Sequence, residues 1–382
     1  MKGRPRILVI GGGIAGVAAA HFLVDDADVT LVEKEASLAF HTTGRSAALF
    51  FENYGAGPIR PLSKVSRRFL TLPPPGLADQ PLLSPRGALT IADADSLDEL
   101  EALLEEGIAS GTVVERIDTS QVRAICPVVR PSAAAGGVWE PDAADMDVAG
   151  LHQVFVRGMR SRGGDVRLSA EVNVATYGES GWRAELGQDT WEGDVIVNAA
   201  GAWGDVVATR CGVEPIGITP LRRTAFMVGG SEEASSWPLV VDVHHSFYFK
   251  PDGEQILCSL SDETPSPPCD ARPEEIDVAL AIDRINTATT LDIRHVRSQW
   301  AGLRTFAPDR AMVIGPDPDQ PAFIWLVGQG GTGIQTAPAA GKLAAALALE
   351  RSVPEDLLVA GLELSALSAE RFRTAGAGSA QL

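Results

Sequence analysis

The start of the chain alternates short apolar runs with a glycine-rich segment. The run RILVI at Arg6 to Ile10 and the run DVTLVE at Asp28 to Glu33 each have the length and composition of a buried strand. The intervening GGGIAGVAAAHFLV indicates a tight turn that enters a helix. We therefore predict a β-α-β unit with parallel strands and a right-handed connection.

Later hydrophobic patterns predict further elements. Leucines at positions 97, 100, 103 and 104 have helical spacing, and Asp95 or Ser96 is placed to cap that helix. LHQVFVRGMRSRGGDVRLSAEV predicts a helix, a glycine stop and a strand, and WRAELGQDTWEGDVIVNAAGAW predicts a hairpin and a buried strand. LRRTAFMV, LVVDVHHSFYFKPDGEQILCSL and RHVRSQWAGLRTF are strand-like, SDETPSPPCDARPEE is predicted as a surface loop, and the tail TAGAGSAQL as disordered. FIWLVGQGGTGIQTAPAAGKLAAALALE predicts a strand, a glycine-rich turn and a long helix.

The order of these patterns indicates two interleaved domains. Signals typical of a nucleotide-binding sheet occur at the start, near Asn198 and at the end, and strand-rich segments lie between them. We expect an α/β fold (α+β overall), in which a Rossmann-like domain receives an inserted antiparallel-sheet domain. The expected ranges are 1–84, 142–215 and 305–382 for the Rossmann-like domain, and 85–141 and 216–304 for the inserted domain.

Composition narrows the classes of partner. Hydrophobic residues make up 45% of the 382 residues and charged residues 21%, so a large core can form. The formal net charge of −18 repels phosphate backbones and anionic lipid, which argues against nucleic-acid partners and against stable membrane insertion. Four widely spaced cysteines form no cluster with the six histidines, so we expect no metal site and free thiols in a reducing compartment.

The N-terminus imitates a targeting segment. MKGRPR followed by ILVIGGGIAGVAAAHFLV has the basic start and apolar run of a signal peptide or a short membrane anchor. Four glycines interrupt the run, and a dinucleotide-binding turn explains them better. We expect a soluble cytoplasmic protein.

The glycine-rich turn has the spacing of a dinucleotide-binding motif. Gly11 permits the tight turn, Gly13 lets the backbone approach a pyrophosphate, and Gly16 lets the helix pack closely. Glu33 ends the second strand at the usual distance for bonding a ribose hydroxyl, and its charge disfavours the 2′-phosphate of NADP. The motif alone leaves FAD and NAD open, together with a glycine-rich turn that binds nothing.

Five further sequence blocks bear on the choice of cofactor. HTTGRSA (41–47), VNAAGAW (197–203), SFYFKPDG (246–253), WAGLRTFAPD (300–309) and GQGGTGIQTAP (328–338) span nearly the whole chain. They resemble, in order, the FAD-dependent D-amino-acid oxidase and dehydrogenase family, which includes glycine and sarcosine oxidases. LLSPRG and PLRRTAF further resemble bacterial D-arginine dehydrogenase. The resemblance implies that the Rossmann-like domain binds FAD and the inserted domain binds the substrate.

The family's cofactor residues carry over to matching positions of this chain. The implied FAD contacts are Gly11, Gly13, Ala15, Gly16, Glu33, Lys34, Thr42, Thr43, Arg45, Ser46, Ala47, Glu171, Val172, Gly201, Gly330, Gly333, Ile334 and Gln335. Glycines before a helix offer N–H donors at the place where negative charge grows on a reduced flavin. This physical argument supports the contacts from Gly330, Gly333, Ile334 and Gln335. No cysteine lies near RTFAPD, so we expect non-covalent FAD.

The resemblance also implies a substrate site. Arg304 would bind an α-carboxylate through its planar fork, with Tyr248 and Tyr54 adding hydroxyl contacts. The Gly331 carbonyl would accept a hydrogen bond from the amine. Arg223, with Arg222 as its register alternative, would border the same pocket. His244, His245 and His295 have no spacing that forces a role, and we interpret them as structural.

Four positions depart from D-arginine dehydrogenase and suggest a different side-chain preference. Ala88 stands where that enzyme has a glutamate, Leu49 and Phe51 make the lid apolar, and Thr332 replaces a tyrosine. A pocket lined in this way favours an apolar side chain by about 1–3 kcal/mol per contact. We expect hydride transfer from Cα of a hydrophobic D-amino acid to flavin N5, giving an imino acid that hydrolyses to a 2-oxo acid and ammonia. The segment ALFFENYG would form the lid, with Gly55 as its hinge.

Other functions remain open from the sequence. The same site would suit a secondary amine of the glycine or sarcosine type, or a 2-hydroxy acid. A sensor without turnover has no need of the Arg304 and Tyr248 pair, and an NAD-linked reductase lacks a recognisable nicotinamide site after Asn198. The partner that reoxidises the flavin is expected to be oxygen or a quinone-like acceptor.

Overall fold

The structure is a computed structural model that describes residues 3–55, 57–78 and 80–373. The tail TAGAGSAQL, expected to be disordered, lies outside the described residues. The strands are β1 Arg6–Ile10, β2 Asp28–Val32, β3 Leu49–Phe50, β4 Leu83–Pro85, β5 Ala88–Ala92, β6 Glu115–Asp118, β7 Gly136–Glu140, β8 Ala144–Met146, β9 Asp165–Arg167, β10 Val172–Gly178, β11 Gly181–Leu186, β12 Asp189–Gly193, β13 Val195–Asn198, β14 Thr219–Gly229, β15 Leu239–Asp242, β16 Tyr248–Asp252, β17 Gln255–Ser259, β18 Thr264–Pro265, β19 Ser298–Phe306, β20 Val313–Pro316 and β21 Phe323–Val327. The helices are α1 Ile14–Leu23, α2 Arg60–Thr71, α3 Leu97–Ser110, α4 Thr119–Ile125, α5 Val148–Arg160, α6 Gly204–Arg210, α7 Glu275–Ala288, α8 Gly333–Ala348, α9 Glu355–Val359 and α10 Glu370–Arg373.

The predicted β-α-β unit forms the middle of a six-stranded sheet. The strand order is β20-β21-β13-β1-β2-β9, and the neighbours are parallel except at the β20 edge. After the exposed Arg6, residues 7–10 of β1 are buried and apolar, as a strand covered on both faces requires. Helices α1, α5 and α8 pack on one face, and the β10-β11-β12 sheet lies near the other. The Rossmann-like class expected from the sequence is confirmed.

A second, larger sheet comes from two separate stretches of chain. Its order is β18-β14-β17-β16-β15-β5-β7-β6, with β19 paired to the other edge of β14. The strands lie within 88–140 and 219–306, and every pair is antiparallel except β15 with β5. One face packs on α4 and α7 through a core that includes Leu89, Phe226 and Ile285. The other face turns toward the six-stranded sheet and leaves the space in which the site lies.

Three local predictions need correction or extension. The predicted surface loop SDETPSPPCDARPEE contains the short strand β18, which pairs with Leu221 and Arg222. Ser96 occupies the N-cap position of α3, but its hydroxyl donates to Asp93 Oδ1 at 2.8 Å and caps no amide of α3. A small β3-β8-β4 sheet was not predicted, because strands of two or three residues carry too little alternation to be recognised.

Helices α1 and α8 approach each other closely through a glycine. A Cβ built on Gly341 of α8 would lie 2.7 Å from the backbone carbon of Ala18 in α1. The close approach lets both helices pack on the central sheet beside the glycine turn that follows β1. In the described part of the chain, no helix is both long enough and apolar enough to cross a membrane.

The substitution Gly341→Ala tests this helix contact. Alanine favours a helix by about 1 kcal/mol over glycine, but overpacking against the Ala18 backbone costs about 1–3 kcal/mol. We therefore expect a net lower free energy of unfolding in urea denaturation. Gly57→Ala is the control, because a Cβ there meets nothing within 4 Å and stability should hardly change. Stabilisation by Gly341→Ala would contradict the close approach.

Candidate active site

Two cavities join into one trough between the sheets. The first extends from the α1 N-terminus to β14, β16 and β19, and the second extends past Glu33 to β10. Six residues line both cavities: Gly13, Thr42, Thr43, Ala199, Gly201 and Ala202. The shared residues make the trough continuous, which suits an elongated ligand that passes the first turn of α1.

The glycine turn after β1 is shaped for close backbone approach. Gly11 has φ +111°, and a Cβ there would lie 2.5 Å from the carbonyl oxygen of Ala199. A Cβ on Gly16 would lie 1.9 Å from the carbonyl oxygen of Gly11. Glu33 accepts hydrogen bonds from the amides of Gly12 at 2.8 Å and Glu35 at 2.9 Å. These contacts fix the Glu33 carboxylate at the wall of the second cavity.

The turn Thr42–Arg45 connects the glycine turn to the large sheet. Thr43 Oγ1 accepts from the amide of Ile14 at 3.0 Å, so it caps the first turn of α1. Thr42 Oγ1 donates to the carbonyl of Leu303 at 2.8 Å. The guanidinium of Arg45 donates to the carbonyls of Ala271 and Ala301, both at 3.0 Å, and pairs with Asp270. Arg45 lines the first cavity, and its charge is paired with Asp270 of the neighbouring loop.

The far end of the trough combines an aromatic ring with charged side chains. Lys34 Nζ lies 3.7 Å from the centre of the Trp203 ring. Arg210 donates to Glu171 at 2.6 Å and to the Val172 carbonyl at 2.9 Å. All five residues line the second cavity. This end therefore offers apolar surface with polar groups at its edge, as a nucleoside requires.

The turn before α8 closes the opposite end. Gly330 has φ +53°, and a Cβ there would lie 2.3 Å from the Phe306 ring. Gly331, Gly333, Ile334 and Gln335 follow it along the wall of the first cavity. The first amides of this 16-residue helix have no partner within the helix, so the wall presents N–H donors and the positive end of the helix dipole.

The lid is anchored to α8 by a buried amide side chain. Gln335 Oε1 accepts from the Phe51 amide at 3.3 Å, and its Nε2 donates to Ser63 Oγ at 2.9 Å. Gly55, the expected hinge, has φ +106°, and a Cβ there would lie 2.8 Å from the Thr332 methyl group. The anchor at Phe51 and the turn at Gly55 place Tyr54 over the cavity.

Arg304 presents a charge to the cavity without a carboxylate partner. Its Nη1 donates to Tyr54 Oη at 3.0 Å, and among the described residues no carboxylate lies within 4.0 Å of its guanidinium. The Arg304 charge lowers the pKa of Tyr54, against the opposing effect of burial. Tyr248 lines the same cavity and is 8% exposed. The arrangement is ready to receive an anion.

Strand register decides between the two neighbouring arginines. Leu221 faces Arg304 across the β14-β19 pair and Arg223 faces Gly302, so Arg223 and Arg304 share a face. Arg223 lines the cavity, donates to the Asp262 carbonyl at 2.8 Å and pairs with Glu263 at 3.2 Å. Burial, followed by the charge of Arg304, lowers the pKa of Arg223.

Arg222 points to the opposite face of β14. It pairs with Glu274 and, at 2.9 Å, with Asp277 of α7. The register alternative is therefore resolved: Arg223 lies at the cavity and Arg222 holds α7 against the sheet.

One wall of the cavity is apolar. Leu49, Phe51, Ala225, Leu239 and Val241 contribute apolar surface to the lining of the first cavity. Two residues expected in this wall do not line it. Ala88 packs behind Leu239 in the adjoining apolar cluster, and Thr332 is turned away because its hydroxyl donates to the Gln329 carbonyl at 2.9 Å.

Four polar residues that line the first cavity were missed from the sequence. They are His245, Ser261, Thr305 and Gln329. His245 and Ser261 have φ +52° and +60°, backbone conformations that neither residue type signals in advance. His245 was expected to be structural, and it lines the first cavity with its ring 6.5 Å from the Tyr54 ring, centre to centre. The signal available was its place directly before the SFYFKPDG block.

The trough also fits a cofactor by its unpaired polar atoms. His41 Nδ1 and Thr305 Oγ1 are buried without a hydrogen-bond partner, and both residues line the trough. Unpaired buried polar atoms are rare in native proteins and often mark the place of a ligand. The donor-rich glycine turns, the carboxylate at Glu33 and these two atoms together suit a dinucleotide.

Fold and site together define a dinucleotide-dependent oxidoreductase. The chain belongs to the FAD dependent oxidoreductase (DAO) family, whose sequence profile matches residues 6–347. FAD is its cofactor, as the five sequence blocks predicted. The particular closeness to D-arginine dehydrogenase stays a prediction.

Relatives agree with this assignment. L-2-hydroxyglutarate dehydrogenase of Escherichia coli (strain K12) is 25% identical over 218 residues, which are 54% of this chain and 50% of that protein. The chain thus matches about half the length of that relative. L-proline dehydrogenase from P. horikoshii has a TM-score of 0.85 at 19% identity, covering 98% of this chain and 99% of that chain. Glycine oxidase from Geobacillus kaustophilus has a TM-score of 0.82 at 19% identity, covering 95% and 99%. These structures share the fold.

The substitution Gly331→Ala tests the junction of the α8 turn with the arginine. A Cβ there would lie 2.5 Å from Tyr54 Oη and 2.9 Å from Arg304 Nη1, so the Tyr54–Arg304 pair must move. We expect FAD binding to persist and affinity for carboxylate ligands to fall about tenfold or more, since displacement costs about 1–3 kcal/mol. The flavin absorbance of the purified variant reports whether FAD is bound, and titration of that absorbance with a carboxylate gives the affinity for the ligand.

Tyr54→Phe supplies the matched background for this test. It removes the atom that the new methyl group meets first, so Gly331→Ala should cost less in Tyr54→Phe than in the wild type. Equal costs in the two backgrounds would contradict the described contact.

Proposed function

We propose that the protein uses FAD to oxidise a D-amino acid with a hydrophobic side chain. The product is an imino acid, which hydrolyses to a 2-oxo acid and ammonia. The observation that carries the proposal is Arg304, a cavity-facing cation that has a tyrosine partner but no carboxylate partner among the residues that the structure describes. The α-carboxylate of an amino acid would pair with the Arg304 guanidinium.

The substrate carboxylate would lie against the Arg304 fork. A guanidinium binds a carboxylate through two parallel hydrogen bonds, and Tyr248 can add a third from its phenol. Tyr54 already holds the fork in place from the lid side. Arg223, on the same face of the sheet, supplies a second positive charge without leaving its pair with Glu263.

The chain's residues would act mainly by orientation. Bound FAD supplies the acceptor for the hydride that leaves the substrate Cα. Glu33 would bind the ribose of FAD, and the first turn of α1 would bind the pyrophosphate. The turn from Gly330 to Gln335 would lie against the flavin ring. The Gly331 carbonyl would accept a hydrogen bond from the amine and fix the direction of the Cα–H bond.

The apolar wall supports a hydrophobic side chain. Leu49, Phe51, Leu239 and Val241 would each stabilise an aliphatic or aromatic group through removal of surface from water. A cationic side chain would instead meet the charges of Arg223 and Arg304. The D configuration, and the closeness to D-arginine dehydrogenase, rest on the resemblance of LLSPRG and PLRRTAF.

A 2-hydroxy acid is the second candidate. Arg223 favours a 2-hydroxy acid with two carboxylates, because a second cation beside Arg304 would bind the distal carboxylate. A relative at 25% identity is named an L-2-hydroxyglutarate dehydrogenase. A secondary amine of the glycine or sarcosine type would use the same carboxylate site.

The proposal has three further parts, which concern the domains, the electron acceptor and the compartment. Segments 1–84, 142–215 and 305–382 bind FAD non-covalently, and segments 85–141 and 216–304 bind the substrate. Oxygen or a quinone-like compound reoxidises the flavin. The four cysteines are free, three of them buried, which supports action in a reducing cytoplasm.

A substrate panel tests the proposed reaction. The purified yellow protein is mixed under anaerobic conditions with D- and L-amino acids, N-methyl amino acids and 2-hydroxy acids. We expect flavin bleaching to be fastest with D-leucine, D-methionine or D-phenylalanine. Faster bleaching with D-arginine or D-lysine would refute the hydrophobic preference, and bleaching by hydroxy acids alone would establish the second candidate.

Arg304→Lys tests the carboxylate contact. Lysine keeps the charge but loses the fork, so we expect kcat/KM to fall about 10- to 100-fold, mainly through KM. Arg222→Lys is the matched control on the other face of the sheet. It should leave kcat/KM unchanged and lower stability by about 1 kcal/mol or less. Equal kinetic effects of the two substitutions would contradict the role of Arg304.

A further inference from the structure

We propose that His245 accepts the proton that the substrate ammonium group must lose before hydride transfer. The inference deepens the proposed function and rests on it. It assigns a proton acceptor to the proposed substrate site.

A rigid turn presents His245 to the cavity. The residue lies between β15 and β16 with φ +52°, an uncommon backbone conformation for histidine. Asp242 holds the turn by accepting from the Ser246 amide at 2.6 Å, the Phe247 amide at 3.1 Å and Ser246 Oγ at 2.7 Å. The His245 ring lies 6.5 Å from the Tyr54 ring, centre to centre. The turn therefore places an imidazole beside the Tyr54–Arg304 pair.

The His245 ring is free, unlike most histidines of the chain. His21, His41, His152 and His244 each use a ring nitrogen in a hydrogen bond within the protein. In the described structure no partner lies within hydrogen-bond distance of either His245 nitrogen, and the residue lines the cavity. An imidazole left unpaired at a carboxylate site is available to the substrate.

The other lining residues leave His245 as the only suitable base. The described lining of this cavity contains no aspartate, glutamate or lysine. Its titratable groups besides His245 are three arginines and two tyrosines. Arginines stay protonated at neutral pH, and Tyr54 Oη accepts from Arg304.

Desolvation and the surrounding charges together lower the pKa of the His245 imidazole. Desolvation is the largest cause that lowers the pKa of His245, and Arg223 of β14 and Arg304 of β19 act in the same direction. Asp242 of its own turn and Glu263 of the following loop oppose them. Tyr54 of the lid and Tyr248 of β16 complete the facing groups. Because the pKa lies below its ordinary value, the neutral, proton-accepting form prevails at pH 7.

The proposed step is a proton transfer. One N–H bond of the substrate ammonium breaks, the proton binds a ring nitrogen of His245, and the electron pair stays on the amine. That electron pair is then available to form the C=N bond when the Cα–H bond breaks and the hydride is lost. The iminium product is oxidised by two electrons relative to the amine, and bound FAD would accept them. The exposed side of the imidazole gives the accepted proton a route to solvent.

His245→Asn removes the base and keeps the backbone, because asparagine tolerates positive φ. With the best amino acid of the panel, wild-type kcat/KM should rise through a pKa below about 6.5 and then level off. The kcat/KM of the His245→Asn variant at pH 7 should be lower than that of the wild type by a factor on the order of 10². Its kcat/KM should then keep rising about tenfold per pH unit toward the pKa of the amine, because only free amine reacts.

His244→Asn is the matched control. His244 is the neighbouring residue, bonds Ser96 Oγ at 2.9 Å and does not line the cavity, so its variant should retain the wild-type pH profile. Flavin absorbance titrated with isocaproate, which has no amine, should give similar dissociation constants for all three proteins. That result would show that the carboxylate site is intact in His245→Asn.

The outcomes separate the inference from the function. If the pH profile of kcat/KM for His245→Asn runs parallel to that of the wild type, the role of His245 is overturned, whether or not the profile is lowered by a constant factor. The proposed oxidation of amino acids would still stand. If no amino acid bleaches the wild-type flavin, the proposed function fails and the inference falls with it.

Discussion

Alternate carbonyl oxygens along the free edge of strand β19 hold the site together. Ala301 accepts from Arg45, Leu303 accepts from Thr42 and Thr305 accepts from the Gly330 amide, at 2.8–3.0 Å. The opposite edge of β19 pairs with β14 from Thr219↔Phe306 to Met227↔Ser298. An edge strand that would otherwise expose a row of carbonyls is thus covered by the two turns that line the trough. A register shift of one residue would misplace both turns and turn Arg304 away from the cavity.

The parts of the molecule with strong local signals were predictable. The β1-α1-β2 unit follows from apolar runs around a glycine turn, and Arg304 follows from its family block. Residues whose roles depend on long-range pairing were not. The choice between Arg222 and Arg223 needs the β14-β19 register, and Thr332 turns away only because the Gln329 carbonyl lies within reach.

His245 shows the same limit in another form. Its exposure to the cavity depends on a backbone conformation fixed by Asp242, and no periodic pattern encodes such a turn. Ala88 shows the converse case. Its block resembles a substrate-contacting segment, yet the residue is buried behind Leu239, because β5 lies beyond β15 in the large sheet. Sequence blocks locate a strand, but the neighbouring strand decides whether its side chains reach a cavity.

The interleaving of the two sheets has a consequence for synthesis of the protein. The central strand β1 needs β13 as its neighbour, and β14 needs β19, while the α8 turn closes the cavity only near the end of the chain. Such long-range pairing makes folding slow and leaves apolar surface uncovered on the growing chain. The site cannot assemble until residues beyond Gln335 have left the ribosome. FAD would therefore join a nearly complete chain, and an early stop in translation would yield a product that lacks the wall formed by Gly330 to Gln335.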